Sequence, residues 1–165
     1  MLDAARHWLL ELSPFQQAAG LTVLTAIPWI ELRGSIPLAI ALGWHPLAAS
    51  GVCVLANCLI IAPSYVFLEV FYRRWLSRYP LFRRMVGAVR DRGAAIVERY
   101  QLLGLALFVA IPLPGTGAYS GITLAWLLGL RRWPAMGAVA LGVLGAGAVV
   151  TLVASGAAAA LRRWI

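Results

Sequence analysis

Residues 28–37 read PWIELRGSIP and contain the break between two apolar runs that are both short. These runs cover residues 15–30 and 35–44, and as helices they would be roughly 24 and 15 Å long. A bilayer core is about 30 Å thick, so neither run spans it comfortably. Two short helices that meet at a Glu, Arg, Gly and Pro break predict a re-entrant helical hairpin. Its irregular tip is tolerated where protein or water surrounds it.

A second pair of short apolar runs, at residues 102–111 and 118–130, flanks the stretch 112–117, which reads PLPGTG. Proline removes a backbone donor and glycine permits unusual backbone angles, so this stretch interrupts a helix. The second half of the chain therefore predicts a second re-entrant hairpin.

The two hairpins share their local sequence. Ala-Ile-Pro at residues 26–28 recurs at residues 110–112. The glycine and proline that follow the first hairpin also have counterparts after the second, and the pairs are Gly43 with Gly129 and Pro46 with Pro134. The order of hairpin, glycine, proline and long apolar run thus occurs twice.

Each hairpin is followed by an apolar run that is long enough to cross a bilayer, at residues 46–71 and 135–161. Pro63 is expected to bend the first span. Small or polar residues at helical spacing predict a packing face on each span, namely Ala49, Cys53 and Asn57 on the first and Ala138, Gly142 and Ala146 on the second. We expect Asn57 to bond a neighbouring helix.

One hairpin and one span cross the membrane an odd number of times, so the second unit is inverted relative to the first. The predicted fold is an all-α polytopic membrane protein with two inverted repeats, each a re-entrant helical hairpin followed by a transmembrane helix. Residues 1–165 are expected to form a single membrane domain. Its parts are an interfacial helix at 1–13, repeat 1 at 14–71, a basic amphipathic linker at 72–100 and repeat 2 at 101–165.

The composition excludes an ordinary soluble domain. Hydrophobic residues make up 62% of the chain and charged residues 12%, whereas soluble domains carry roughly 25% charged residues. The net charge of +8 comes from arginines that lie in the linker and at segment ends. That placement is typical of membrane anchoring, and no basic face with stacking aromatics indicates nucleic-acid binding.

The arginines also predict the orientation. Ten of the 14 lie in the linker or at residues 131–132, while Arg6, Arg162 and Arg163 lie on the opposite side. The positive-inside rule therefore places the linker in the cytoplasm and both termini outside a cell membrane that the chain crosses several times. The remaining arginine, Arg33, is expected at membrane depth.

The first tip carries the ionisable candidates. An ionisable group at membrane depth is costly and is a functional candidate by default. Glu31 is expected to carry a coupling proton and Arg33 to hold an anionic headgroup. Gly34, Ser35 and Pro37 complete this tip, and a helix that begins near Ser35 would add its N-terminal amides. The alternative is that Glu31 and Arg33 neutralise each other and only fix the hairpin.

The second tip offers backbone groups and hydroxyls to a substrate path. Its candidate residues are Pro112, Pro114, Gly115, Thr116, Gly117, Tyr119 and Ser120. The alternative is a tight turn without a ligand. No lysine follows the glycines, so the stretch is not a nucleotide-binding loop.

Catalytic and cofactor chemistry is not indicated. The sequence offers no plausible Ser/His/Asp triad, zinc spacing or carboxylate pair, so we expect neither an enzyme nor a metal or prosthetic group. Cys53 and Cys58 are five residues apart and would point to different helix faces, which disfavours a disulfide.

The residues 31–37, ELRGSIP, and 112–121, PLPGTGAYSG, resemble the small multi-drug export protein family. That family is grouped more distantly with the DedA superfamily and the VTT-domain lipid scramblases. The resemblance implies two facing re-entrant hairpins, membrane transport, and movement of phospholipid or polyprenyl phosphate coupled to protons or sodium. Unlike DedA proteins, this chain has no charge in the second tip.

Together these features predict an ion-coupled membrane transporter that moves an amphipathic anionic substrate, a lipid phosphate, between leaflets. We expect membrane lipid as a partner and a homodimer as the assembly. Two alternatives stay open: a membrane scaffold or assembly protein that transports nothing, and an exporter of lipophilic cations.

The topology predicts opposite accessibility of two positions. In a variant without native cysteines, a cysteine at residue 88 should react with an impermeant thiol reagent from the cytoplasm, and a cysteine at residue 4 from outside. Labelling of both positions from the same side would contradict the inverted repeat.

Overall fold

The computed structural model describes residues 13–72, 78–81, 84, 87–88, 101–113 and 115–164. The predicted interfacial helix at 1–13, apart from its last residue, and most of the predicted linker at 72–100 lie outside these residues. Helices make up the regular structure of the described residues, and no strand occurs among them.

The first two helices form a packed pair. Helix α1 covers Pro14–Thr25 and begins with a capping box, in which Ser13 and Gln16 exchange backbone-to-side-chain hydrogen bonds of 2.9 and 3.3 Å. Serine as N-cap followed by proline in the first turn is a favoured helix start, and α1 begins in this way. The helix ends before residue 30, since the position before Pro28 is disfavoured in a helix.

Helix α2 covers Glu31–Ala41 and therefore starts four residues before the position that the sequence predicts. Ser35 and Pro37 lie inside this helix and not at its N-terminus. The N–H groups of Glu31 and Gly34 bond the carbonyls of Ile27 and Ile30, so the preceding turn already satisfies part of the helix start. The expectation of an N-terminus at Ser35 is thus wrong.

Helix α3 covers Pro46–Phe67 and continues as a π-helical segment over Leu68–Tyr72. Pro63 lies inside it. The side chains of Ala49, Cys53 and Asn57 are completely buried, which agrees with the packing face that their spacing predicts.

The second pair consists of α4, Gln101–Ala110, and α5, Ala118–Leu127. Helix α6 then runs over Arg132–Trp164. It begins three residues earlier than the predicted span, because Pro134 falls in the first turn, where the missing N–H would have no partner in the helix anyway.

The second helix of each pair ends in the same way. After α2, Gly43 adopts φ +92° and its N–H bonds the Ile40 carbonyl, while Trp44 bonds back to Ala39. After α5, Gly129 adopts φ +65°, and the same two bonds link residues 129 and 130 to residues 126 and 125. Both are Schellman motifs, which need a residue in the left-handed region and so favour glycine. The local correspondence of the two halves therefore extends to backbone geometry, while their inversion stays a prediction.

Within the described residues the chain falls into two compact units, one within Met1–Asn57 and Gly147–Ile165 and the other within Cys58–Ala146. The division passes through both long helices. The first unit contains the α1–α2 pair and the second contains the α4–α5 pair.

The two long helices have the length and composition of membrane spans. The apolar stretches Pro46–Phe71 and Arg132–Ala160 contain 26 and 29 residues, and only 33% and 39% of their most apolar windows are buried. Leu55, Leu59 and Leu152 are each about 70% exposed. A soluble core helix would hide such side chains, whereas lipid is a favourable environment for them.

The small-residue face of α6 packs against α4 inside the second unit. Ala138, Gly142 and Ala146 are all buried. A Cβ atom at Gly142 would lie 2.6 Å from both the Ala106 carbonyl oxygen and the Val109 Cβ. Glycine therefore allows the two backbones to approach, as in other close helix pairs in membranes.

We expect Gly142→Leu to lower the free energy of unfolding by about 2 kcal/mol or more, because the added side chain has to separate α6 from α4. Thermal unfolding in detergent measures the effect. Gly137→Leu is the matched control on the same helix, since nothing lies within 4 Å of a Cβ at that position. Equal unfolding midpoints for the two variants would show that the close approach contributes nothing.

Candidate functional site

The turn between α1 and α2 exposes its apolar residues and bonds its own backbone. Trp29 is 86% exposed, and Ile27 and Pro28 are exposed as well. The Ile27 carbonyl accepts hydrogen bonds from the N–H groups of both Ile30 and Glu31, each at 3.0 Å. The turn therefore needs no side chain from elsewhere to satisfy this part of its main chain.

Glu31 is the unusual residue of the turn. It is only 5% exposed and adopts φ +46°, in the left-handed region that residues with a Cβ rarely enter. That conformation costs about 1–2 kcal/mol, and burying the carboxyl group costs more unless a partner compensates it. Its charge interacts with that of Arg33, which is partly exposed. The structure thus brings the predicted acid and base together at the start of α2.

A chain of four oxygen atoms joins α1 to α2 next to Glu31. The Thr25 hydroxyl lies 2.7 Å from the Leu21 carbonyl oxygen and 2.6 Å from the Ser35 hydroxyl, and Ser35 lies 2.7 Å from the Glu31 carbonyl oxygen. Both hydroxyl groups are completely buried. Two hydroxyl hydrogens cannot fill three contacts. If Ser35 donates to Thr25, the Glu31 carbonyl receives no hydrogen from this chain, whereas it receives one if Thr25 donates to Ser35.

Two other predicted residues of the first tip, Gly34 and Pro37, belong to helix α2. A Cβ at Gly34 would lie 2.5 Å from the Ile30 Cγ2, so glycine leaves room for Ile30 to fold back over the helix start. Pro37 is part of α2 and is partly exposed. At the far end of the pair, the Trp44 indole donates a 2.7 Å hydrogen bond to the Gln17 side chain and holds α1 against the end of α2.

The turn between α4 and α5 is held by Thr116. Its hydroxyl lies 2.6 Å from the Ile111 carbonyl oxygen and 2.9 Å from that of Leu113, and its own N–H bonds the Leu113 carbonyl. Gly115 and Gly117 adopt φ +85° and +135°, which favour glycine. Thr116 therefore stabilises the turn itself, in addition to any contact with a substrate.

The remaining residues of the second tip lie around the start of α5. Pro112, Tyr119 and Ser120 are partly exposed there, and Pro114 lies outside the described residues. The first-tip candidates belong to one compact unit and the second-tip candidates to the other. That both sets serve one substrate path stays a prediction.

Sequence reasoning did not identify two polar features, a hydroxyl pair and a cation–π arrangement. In the sequence, Thr25 looks like an ordinary member of an apolar run. The structure shows that its hydroxyl lies against that of Ser35, ten positions later. The Arg132 guanidinium lies 5.2 Å from the centre of the Tyr65 ring and 5.7 Å from that of Trp133, a cation–π arrangement. Pairings between distant segments leave no periodic signal in the sequence.

Asn57 contradicts its expected role. Its side chain is completely buried, but neither Oδ1 nor Nδ2 has a hydrogen-bond partner among the described residues. The predicted bond to a neighbouring helix is therefore wrong for the part of the chain that the structure describes. In the same part of the chain, no three His, Cys, Asp or Glu side chains are grouped closely enough to hold a metal ion.

Comparison with known proteins identifies one family. Residues 31–149, more than half of the chain, match the family model described as "Putative small multi-drug export protein". The match contains both stretches that carry the resemblance, from Glu31 through the turn that Thr116 holds. No curated protein and no solved structure matches the chain.

The hydroxyl pair predicts energetic coupling between α1 and α2. Thr25→Val and Ser35→Ala should each lower the free energy of unfolding by about 1 kcal/mol, and together by less than the sum, because either change breaks the same buried bond. Thermal unfolding of the two single variants and the double variant measures the coupling. Thr22→Val is the control, since its exposed hydroxyl bonds only the Ala18 carbonyl of its own helix. Strictly additive losses would contradict the pairing.

Proposed function

We propose that this chain, which belongs to the small multi-drug export protein family, is an ion-coupled membrane transporter that moves an anionic amphipathic solute, a lipid phosphate, between leaflets. The observation that carries the proposal is the buried and conformationally strained Glu31 beside Arg33 at an interruption between two short helices. Such strain is typical of functional sites, where surrounding structure has to hold it in place. A protein that only scaffolds a membrane assembly would gain nothing from it.

The choice of an anion rests on Arg33. A guanidinium group makes paired hydrogen bonds to a phosphate, and it is less strongly hydrated than an ammonium group, which suits a membrane site. The amides at the start of α2 contribute less than the sequence indicates, because those of Glu31 and Gly34 already bond the preceding turn. The arginine side chain is therefore the principal attraction for a negative headgroup.

Proton binding and solute binding are coupled because the Glu31 carboxylate and the anionic solute compete for Arg33. When Glu31 is ionised, its carboxylate offsets the charge of Arg33. When Glu31 takes up a proton, that compensation ends and the charge of Arg33 attracts the phosphate of the solute instead. Proton and anion would then bind together, which lowers the net charge that has to cross the hydrocarbon.

The carboxyl of Glu31 also keeps a second function open. An ionised and desolvated acid would attract a lipophilic cation, and the exposed ring of Trp29 lies two residues away. Export of lipophilic cations is therefore the competing proposal. The two differ in which residue binds the solute, and so they can be separated by the same variants.

The wider arrangement is part of the proposal. We place both tips on one substrate path, with two inverted repeats, a cytoplasmic linker and both termini outside, in a homodimer in the cell membrane. No enzymatic step or cofactor is required, since transport needs only binding and conformational change.

The test is flux in proteoliposomes, with labelled polyprenyl phosphate, phospholipid and a lipophilic phosphonium cation, with and without a proton gradient. We expect Glu31→Gln to abolish the response to the gradient, because glutamine cannot take up a proton. Arg33→Ala should raise the half-saturating concentration of polyprenyl phosphate about tenfold or more, as loss of a charge-assisted bond predicts.

Matched controls are available on the same chain. Glu69 and Arg131 are exposed and lie outside both tips, so Glu69→Gln and Arg131→Ala should transport like the wild type. Undiminished, gradient-dependent flux in Glu31→Gln and Arg33→Ala would remove these residues from the mechanism. Flux of the phosphonium alone would favour cation export, and no flux of any probe would favour a scaffold.

A further inference from the structure

Asn57 differs from the other buried polar side chains of its unit. The hydroxyl groups of Thr25, Ser35 and Thr151 are each bonded, that of Thr151 to the Gly147 carbonyl at 2.6 Å. Asn57 is equally buried, but neither its oxygen nor its nitrogen meets a partner among the described residues. A buried carboxamide without hydrogen bonds costs free energy, so its retention needs a physical reason.

The carboxamide of Asn57 does not bond its own helix, α3, in the way that buried hydroxyl groups do. Thr and Ser hydroxyls bond the carbonyl four residues back, as Thr25 and Thr151 do here. On the buried face of α3, the positions one and two turns before Asn57 are Cys53 and Ala49, which offer a weak thiol donor and no polar group. In the described structure α3 therefore supplies no partner to the carboxamide.

The depth of Asn57 in the membrane limits which groups can reach its carboxamide. The residue lies close to the midpoint of the apolar stretch Pro46–Phe71. Near the midplane of a bilayer neither bulk water nor lipid headgroups are at hand. A polar partner there comes from protein or is carried to that depth, and the described residues supply none. A transported solute is carried to that depth, whereas a headgroup at rest in either leaflet is not.

We infer that the carboxamide of Asn57 binds the polar group of the transported solute at mid-membrane and helps to select it. This inference rests on the transport function proposed above. A carboxamide both donates and accepts, so it is fully paired only by a group that does the same. A phosphate monoester that carries one proton does so, a phosphodiester only accepts, and a phosphonium cation does neither. Asn57 accordingly favours a protonated monoester.

Two further measurements on Asn57 variants test this. Thermal unfolding without added solute reports whether the carboxamide is bonded in the resting protein. Flux and solute-induced stabilisation, with polyprenyl phosphate as the monoester and its methyl ester as a diester without a hydrogen-bond donor, report whether it takes part in binding. Asn57→Leu replaces the carboxamide with two methyl groups on the same branched skeleton, and Asn57→Gln keeps a carboxamide that donates and accepts.

We expect Asn57→Leu to unfold at or above the wild-type midpoint, since it removes unmet polar groups, and to lose about tenfold or more in apparent affinity for polyprenyl phosphate. Asn57→Gln should retain most of that affinity, and the preference for the monoester should shrink only in Asn57→Leu. Thr151→Val, which removes a buried hydroxyl that bonds its own helix, should leave flux at the wild-type level.

Three results would overturn the inference. A midpoint several degrees lower in Asn57→Leu would mean that the carboxamide is bonded structurally in the resting protein. Wild-type affinity and flux in Asn57→Leu would mean that Asn57 does not meet the solute, while the proposed function stands. Absence of monoester flux in the wild type itself would refute the proposed function together with this inference.

Discussion

In hydrocarbon, a main-chain N–H or C=O group without a partner costs several kcal/mol, so a turn between two short helices has to bond its own backbone. Both turns do so in the described residues. The Ile27 carbonyl accepts two N–H groups in the first, and the Thr116 hydroxyl and N–H face the Leu113 carbonyl in the second. The Schellman motifs at Gly43 and Gly129 satisfy backbone carbonyls at the far end of each helix pair. Interrupted helices are thereby compatible with membrane depth.

The same constraint applies to the few polar side chains that are buried, because they also need hydrogen-bond partners. Thr25 and Ser35 satisfy each other across α1 and α2, and the direction of their hydrogen bonds decides whether the Glu31 carbonyl receives one. Glu31 is held in a strained conformation at this junction. The charge of Glu31 acts on Arg33, while the hydroxyl pair bonds the main-chain carbonyl of Glu31.

Packing in this chain relies on close backbone approach, because lipid removes the hydrophobic drive that joins helices in water. Gly142 brings α6 to the backbone of α4 in one unit, and Gly147 brings α6 against Val54 in the other, where a Cβ would lie 2.4 Å from the valine Cγ2. The large residues of the long helices, such as Leu55 and Leu152, face outward instead. Small residues thus occupy the closest contacts of α6, while many large apolar residues of the long helices are exposed.

The features that could be predicted from the sequence alone are those that depend on neighbouring residues along the chain. Ser13 and Pro14 predict the start of α1, hydropathy predicts the two long helices, and Gly43 and Gly129 mark the helix ends, since capping, span length and left-handed backbone angles are local properties. The start of α2 at Glu31 instead of Ser35 was not predictable in this way, because it depends on bonds to the preceding turn. The pairing of Thr25 with Ser35 and the unmet carboxamide of Asn57 were decided only by tertiary structure. A hydrogen bond between segments is set by their relative placement in space, and the spacing of polar residues in a sequence does not contain it.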